Sequence, residues 1–467
     1  MAISSATRTG KTILMASEFS KPFWLEAQKL PPEAQSRYHL YGIYQYSPDL
    51  DLNRLMQALQ VTVNTNYHLR SNFFQVGEAL KQAIQDYREA NLTIYHANTE
   101  KASQEIIDRA IHQPFYLETD PLHRFVLIDN KYNQTHILLL NFHHIIIDET
   151  QFDSLVQQIE DHYYQPKSLT LTDQPEVKQL AEYLMWEKEQ IQKIDTEKMA
   201  SRFKGYPVDI ELPYRMRMMD YAGKKVIANN YVLNSDLYQK LKTWSAKADF
   251  SLFDLLKTAW ATLIGKYSNQ DKIMISDSFD VRKQRFEHIK GCYLNTRIHP
   301  MDLNLSLQEI IEADRATRGD ILHEATQFFP IHLKANGLQR SLLGEVFFAR
   351  VPLGFTTLKL AQDNVGERHK QMGHAALLFK YDDRNGELRY QILSLEHLFE
   401  EDWLECIPLH FEILLLNLID QPTEKLKRLN ILTPTEYHRI IYDYNQTDKD
   451  YPRDKTIHAL FEEQVER

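Results

Sequence analysis

One stretch in the first third of the chain has the residue types and spacing for proton chemistry: Asn141-Phe142-His143-His144-Ile145-Ile146-Ile147-Asp148. An imidazole titrates near neutrality, so it can accept and return a proton at pH 7. Adjacent histidines in extended chain point to opposite faces, so only one of the pair faces a given cleft. A carboxylate four residues after His144 has two ordinary uses. It can orient the imidazole, or it can cap a helix starting at Glu149. A metal site would need further His or acidic ligands, and neighbouring histidines do not easily chelate together. No G-x-S-x-G elbow supplies a serine nucleophile. Thr9-Gly10-Lys11-Thr12 looks like the end of a phosphate-binding loop, but that motif's first glycine would fall at Ser5, and no strand precedes it.

The elements that must position this stretch can be read from periodicity. Tyr38–Tyr44 alternates as a strand. Leu52, Leu55, Met56 and Leu59 mark one face of a helix starting near Asp51. A short strand follows near Leu69–Phe74, then a helix over Ser103–His112 and a strand over Phe125–Asp129. Ile137–Leu140 reads as a fully buried strand leading into the histidines. Phe152, Leu155, Val156 and Ile159 mark the helix behind them. A polar helix over Glu176–Ile194 separates this unit from a second one. The second unit predicts strands at Val226–Leu233, Lys272–Phe279 and Cys292–Ile298, with helices at Leu252–Tyr267, Leu307–His323 and Glu401–Leu418. Asp382-Asp383-Arg384-Asn385-Gly386 turns between Ala375–Tyr381 and Leu388–Leu393, a hairpin signal. Strands alternating with helices imply an α/β architecture in both units.

Length and composition set the outer limits. At 467 residues the chain exceeds one ordinary domain. Hydrophobic residues at 43% and charged residues at 25% are globular values. A net charge of −10 argues against a nucleic-acid partner. Two cysteines, Cys292 and Cys406, exclude a disulfide scaffold or a Cys-based zinc module and fit a reducing, cytoplasmic setting. No apolar run is long enough to span a membrane, and the N-terminus lacks the apolar core of a signal peptide.

The HHxxxD stretch after a buried strand resembles the signature of condensation domains of nonribosomal peptide synthetases, within the chloramphenicol-acetyltransferase-like superfamily. Further segments are similar. Ser17–Leu25 resembles the family's opening SxAQxRLWxL, without its Ala-Gln and Arg. Leu69-Arg70-Ser71-Asn72-Phe73 resembles the end of RHExLRTxF, with Thr65-Asn66 in place of Arg-His. Tyr183–Trp186 looks like YxDYAVW, and Lys290–Thr296 like IGxFVNT. His323-Glu324 loosely matches HQDVPFE. Leu432-Thr433, Glu436, Asn445, Thr447, Tyr451-Pro452 and Thr456–Glu462 resemble the linker into an adenylation domain. The family's Gly after the Asp is here Glu149.

The resemblance implies an α/β (α+β) fold of two chloramphenicol-acetyltransferase-like lobes. They form a V-shaped pseudo-dimer with a tunnel between them. The implied division is 1–180 for the lobe carrying HHxxxD, 181–430 for the second lobe and 431–467 for the linker. It also implies an acyltransferase joining a carrier-bound donor acyl thioester to a carrier-bound acceptor amine as an amide. His144, His143 and Asp148 are the implied catalytic set. Asp148 is expected to pair with Arg282, or with Arg285 as runner-up, and Glu149, Asn295 and Trp24 to line the tunnel. The domain is expected to bind no cofactor or metal of its own. Its substrates ride on 4′-phosphopantetheine arms of donor and acceptor carriers. An adenylation domain is expected downstream, and the excised domain is expected to be monomeric. Met1 close to the first motif, and Glu149, point to a starter-type domain with a fatty acyl donor. An ester-forming or CoA-dependent acyltransferase, disfavoured by the tail, and a catalytically silent docking domain are the alternatives.

Overall fold

The computed structural model describes residues 10–30, 35–36, 38–166, 175–193, 197, 201, 203–207, 209–216, 226–282, 286, 288–313, 346–350, 375–384, 386–450 and 452–466. The side chains of residues 175, 278, 279 and 295 lie outside that description. Strands β1 (Lys11–Met15), β3 (Ser71–Val76) and β4 (Ala79–Gln85) form a small antiparallel sheet in the order β1-β4-β3. Strands β2 (His39–Tyr46), β5 (Leu92–Ala97), β6 (His123–Asn130) and β7 (Thr135–His143) form a four-stranded sheet in the order β2-β7-β6-β5. Only the β5–β6 pair of that sheet is parallel.

The apolar run in β7 is explained by cover on both faces. Leu138, Leu140 and Phe142 enter one core, shared with helices α2 (Leu52–Thr65) and α4 (Glu149–Tyr164). Leu139 and the half-buried Ile137 enter another, against Ile107, Ala110 and Ile111 of α3 (Glu100–His112). Side-chain caps start these helices. Asp51 accepts from the Asn53 and Arg54 amides, Thr99 from Ala102, and Asp148 from Gln151. Each such cap stabilises its helix by about 0.5–2 kcal/mol.

A six-stranded sheet dominates the second half. It contains β8 (Val226–Val232), β9 (Lys272–Asp280), β10 (Leu294–Asp302), β11 (Val346–Arg350), β12 (Leu377–Asp382) and β13 (Arg389–Leu395). Their order is β10-β9-β11-β12-β13-β8. Its main core takes Val346, Phe348, Leu377, Phe379, Tyr381, Tyr390 and Ile392 from one face. The helices packed there include α6 (Ser235–Ala248), α7 (Leu252–Tyr267) and α8 (Glu401–Asp420). Helix α7 is apolar nearly all round because it is buried all round, with Trp260 fully enclosed.

A further core lies where the halves meet. It joins Phe19 of the segment before helix α1 (Ser20–Lys29), Tyr67, Ile84 of β4 and Leu180 and Tyr183 of α5 (Pro175–Gln192). To these it adds Val281, Phe286, Ile289 and Tyr293 from the stretch between β9 and β10. The chain ends in α9 (Pro434–His438), a wider π turn over Arg439–Asp443 and α10 (Ile457–Val465).

Several elements differ from the sequence reading. Lys11, taken as part of a false phosphate loop, opens β1 and pairs with Gln85, so the segment is strand rather than a strand-to-helix turn. Strands β1, β4, β5 and β11 carry no strong periodic signal and are absent from the sequence reading; helix α6 is absent from it too, although Leu237, Leu241, Trp244 and Ala248 recur at helical spacing behind the cap Asn234. β4 is rich in Gln and Lys, and only its position at the centre of the small sheet makes it a strand. Leu69-Arg70 belongs to a 3-10 turn before β3. Cys292 and Tyr293 precede β10 instead of starting it. The helix expected over Leu307–His323 is helical at 307–313, and its remainder lies outside the described residues. So do His323-Glu324, Arg285, Asn385 and Thr9.

Candidate active site

Strand β7 stops at His143, and a 3-10 turn over His144–Ile146 carries the chain into Asp148 and α4. Ile145, Ile146 and Ile147 are at most 2% exposed, so the turn is nailed into the first core. Burial of such side chains is worth about 1.5–3 kcal/mol each.

The two histidines separate as alternation requires. His143 is buried, and its Nδ1 accepts from the Ile145 amide at 3.1 Å. Burial first, then His39 and His144 nearby, hold its pKa well below the ordinary imidazole value, so it stays neutral. His144 is half-buried, and its Nδ1 lies 2.8 Å from the Ile147 carbonyl oxygen. A carbonyl only accepts, so Nδ1 carries the hydrogen and Nε2 keeps a lone pair. Among the described residues Nε2 has no hydrogen-bond partner. The Phe23 ring of α1 sits 5.0 Å from the imidazole, and Cys292 Sγ lies 3.4 Å from Nδ1. Burial, followed by Asp148, pushes the Cys292 thiol up, so a neutral thiol meets the imidazole.

Asp148 is wholly buried and uses both oxygens. Oδ1 accepts from the Gln151 amide at 3.1 Å and the Thr150 hydroxyl at 2.6 Å. Oδ2 accepts from the Tyr293 amide at 3.2 Å and faces Arg282 Nη2 at 2.9 Å. None of these contacts reaches His144. The imidazole is therefore oriented by the Ile147 carbonyl, and the carboxylate serves as cap and ion-pair partner. Arg282 also contacts Thr150 and Asp280. Burial opposes its charge, but the two carboxylates outweigh burial and hold the guanidinium above its ordinary range.

Glu149 Oε1 accepts from Lys380 Nζ of β12 at 2.8 Å. Gln151 donates to the Ile289 carbonyl at 3.1 Å and accepts from the Gly291 amide at 3.2 Å. Four successive residues, Asp148 to Gln151, thus each bind the second half. Lys290 adds another tie, donating from Nζ to Asn66 Oδ1 at 2.7 Å and from its amide to the Tyr67 hydroxyl at 3.0 Å.

Trp24, expected in the tunnel, is 5% exposed and packed in the first core, and its neighbour Phe23 meets His144. Asn295 lies on β10 opposite Phe279, with its side chain outside the described residues. Lys380, Thr150, Gln151 and Phe23 went unread. Lys380 had a signal, a lone lysine in the apolar run Ala375–Tyr381, because lysine is seldom buried without a partner. Among the described residues no group of His, Cys, Asp or Glu is placed to hold a metal.

A family model described as Condensation domain matches residues 25–441. Tyrocidine synthase 3 of Brevibacillus parabrevis is 26% identical over 453 residues, covering 92% of this chain and 7% of the synthase. The chain thus spans under a tenth of that relative's length. Among solved structures, a four-domain nonribosomal peptide synthetase bound to AMP and glycine superposes with a TM-score of 0.74 at 16% identity. It covers 99% of this chain and 37% of that one. The starter condensation domain of rhizomide synthetase, in complex with C8-CoA, gives 0.69 at 16% identity, covering 90% and 98%. The fold is the chloramphenicol-acetyltransferase-like fold of these domains.

Proposed function

The chain belongs to the condensation-domain family, and from that premise we propose that it joins a donor acyl thioester to the amine of an acceptor aminoacyl thioester. The observation that carries this reading is the geometry of His144: its Nδ1 is committed to a backbone carbonyl, and Nε2 is left as a proton acceptor beside the joint between the halves. In the proposed step the acceptor nitrogen attacks the donor carbonyl carbon. The C–N bond forms, the C–S bond breaks, and the amine proton ends on the departing sulfur. His144 Nε2 either carries that proton or holds the amine on its line of attack. An α-amino group titrates near 7.7–8.0, so a neutral fraction exists at pH 7 and no strong base is required. Positioning alone can supply several kcal/mol, and a general base typically gives about 10²–10⁴-fold.

In this reading both substrates arrive on 4′-phosphopantetheine arms of carrier domains, and the domain holds no cofactor itself. The proposed division is 1–180, 181–430 and a 431–467 linker towards an adenylation domain, in a cytoplasmic synthetase. The excised domain is proposed to be a monomer. Among the described residues no helix is long and apolar enough to cross a membrane. A second reading, a starter-type domain taking a fatty acyl donor, rests on Glu149 standing where the family has Gly. The test is a condensation assay with loaded donor and acceptor carriers and a varied donor acyl group. Amide product supports the reading, and its absence with every donor refutes it.

A further inference from the structure

Among the described residues, one side chain is hydrogen-bonded to the His144 ring, and it comes from the second half: Cys292, with Sγ 3.4 Å from Nδ1. The chain on either side of this cysteine is fastened to the turn that follows His144. The Ile289 carbonyl accepts from Gln151, the Gly291 amide donates to Gln151, and the Tyr293 amide donates to Asp148 Oδ2. Gly291 has φ +140°, and a Cβ there would come within 3.0 Å of the Tyr293 ring, so a glycine is needed to turn the chain into the joint. Cys292 itself is buried. The sulfur therefore cannot leave the imidazole while the halves are engaged.

The Ile147 carbonyl, 2.8 Å from the same nitrogen, settles the direction of the sulfur contact. Nδ1 carries the hydrogen, so it cannot accept from the thiol, and the sulfur is the second acceptor of a forked N–H. The two acceptors differ in origin. The carbonyl belongs to the same turn as the ring and moves with it, whereas the sulfur belongs to the opposite half. An imidazole turning about its Cβ–Cγ bond would give up both acceptors, and the line of its Nε2 lone pair would swing with it.

We infer that Cys292 is a positioning residue for His144: its sulfur, as second acceptor of the Nδ1–H, holds the ring plane and the tautomer that leaves Nε2 as a proton acceptor, and it does so only while the joint is closed. This deepens the amide-forming reading and rests on it.

The test compares the whole wild-type chain with Cys292→Ala and Cys292→Ser, in the assay with loaded carriers and by ¹⁵N spectra of histidine-labelled protein. The His144 signals are assigned by their loss in His144→Ala. The wild-type spectrum should show the His144 proton on Nδ1, and a proton on Nε2 overturns the assignment whether or not the variants fold. Cys292→Ala should shift the His144 signals towards the other tautomer and lower kcat about two- to tenfold, the range of one net hydrogen bond, with KM little changed. Cys292→Ser keeps an acceptor at that place and should recover most of the kcat and of the spectrum. A Cys292→Ala chain with the wild-type His144 spectrum, or a Cys292→Ser chain that falls as far as Cys292→Ala, overturns the assignment while leaving amide formation standing. No amide from the wild-type chain with any donor overturns the amide reading instead, and the spectra then decide the place of Cys292 by themselves.

Discussion

Asp148 and Asp277 are two wholly buried carboxylates, each held by an arginine at 2.8–2.9 Å, and they do different work. Asp277 lies on β9, and its partners are Arg297 and His299 on the adjacent strand and Lys257 on α7. Burial alone would push its carboxyl up, but His299, Lys257 and Arg297 outweigh burial and hold it well below the ordinary range. Every partner belongs to the second half, so the cluster fastens one sheet to its own helix. Asp148 divides its oxygens instead. One caps its own helix, and the other reaches Arg282 and Tyr293 across the joint. The same chemistry is a staple in one place and a joint in the other, and only the joint borders His144.

The largest effect should come from the residue the joint serves. His144→Ala is expected to lower turnover by about 10²-fold or more, from the general-base range, with a near-native Tm. A folded His144→Ala chain with native turnover would remove the catalytic assignment. Next come the carboxylates themselves. Breaking a buried pair costs about 3–5 kcal/mol, so Asp148→Ala and Asp277→Ala should both unfold at markedly lower denaturant concentration. They should part in activity: the folded fraction of Asp277→Ala turns over nearly as wild type, whereas Asp148→Ala does not. Equal activity loss in the two would erase the distinction between staple and joint. Asp148→Asn should be milder, because an amide oxygen still accepts the cap hydrogen bond.

Glu187 sharpens the comparison as a buried carboxylate with no cation paired to it among the described residues. It accepts from the Ser17 hydroxyl at 2.5 Å and the Glu18 amide at 3.0 Å, holding the start of α1 to α5. Burial pushes its pKa up to about 7, and the Ser17 and Glu18 hydrogen bonds only partly offset this. The folded state therefore binds this proton more tightly than the unfolded chain, whose value is near 4.5. Stability from this group is full below pH 4.5 and is lost as pH rises through about 7. The loss is on the order of 3 kcal/mol at about 1.4 kcal/mol per pH unit. Glu187→Gln should flatten that decline in denaturant titrations at successive pH values, and an unchanged slope would contradict it. The smallest expected effect is at Phe23. Phe23→Ala removes a ring contact worth about 0.5–1.5 kcal/mol and should lower kcat roughly two- to tenfold with KM little changed. A KM effect alone would mean that the ring touches substrate rather than the imidazole.

Much of the first half was legible because its signals are local. The run Ile137–Leu140, the cap Asp148 and the stripe Phe152, Leu155, Val156, Ile159 declare a strand, a turn and a helix within about thirty residues. Helix α7 could be read to its end residues for the same reason. The joint was far less legible. Glu149 meets Lys380 at a separation of 231 residues and Gln151 meets Ile289 at 138, and no periodicity encodes such distances. Arg282 was placed beside Asp148 through family resemblance, not through any pattern in the residues. Small polar strands such as β4 escaped because their partners, not their own side chains, define them.

The four ties from Asp148 to Gln151 make separation of the halves a concerted event. None of the contacts can lengthen far without the others, since they leave one helical turn in two directions, to β12 and to the segment before β10. The Tyr293 amide ends on the Asp148 carboxylate across the joint, whereas the Gln151 amide ends on it within its own helix, so only the Tyr293 proton loses this partner when the halves part. Hydrogen exchange at Tyr293 in D₂O, read against Gln151 as the local reference, would time the opening of the molecule, and each opening would also dismantle the surroundings of His144.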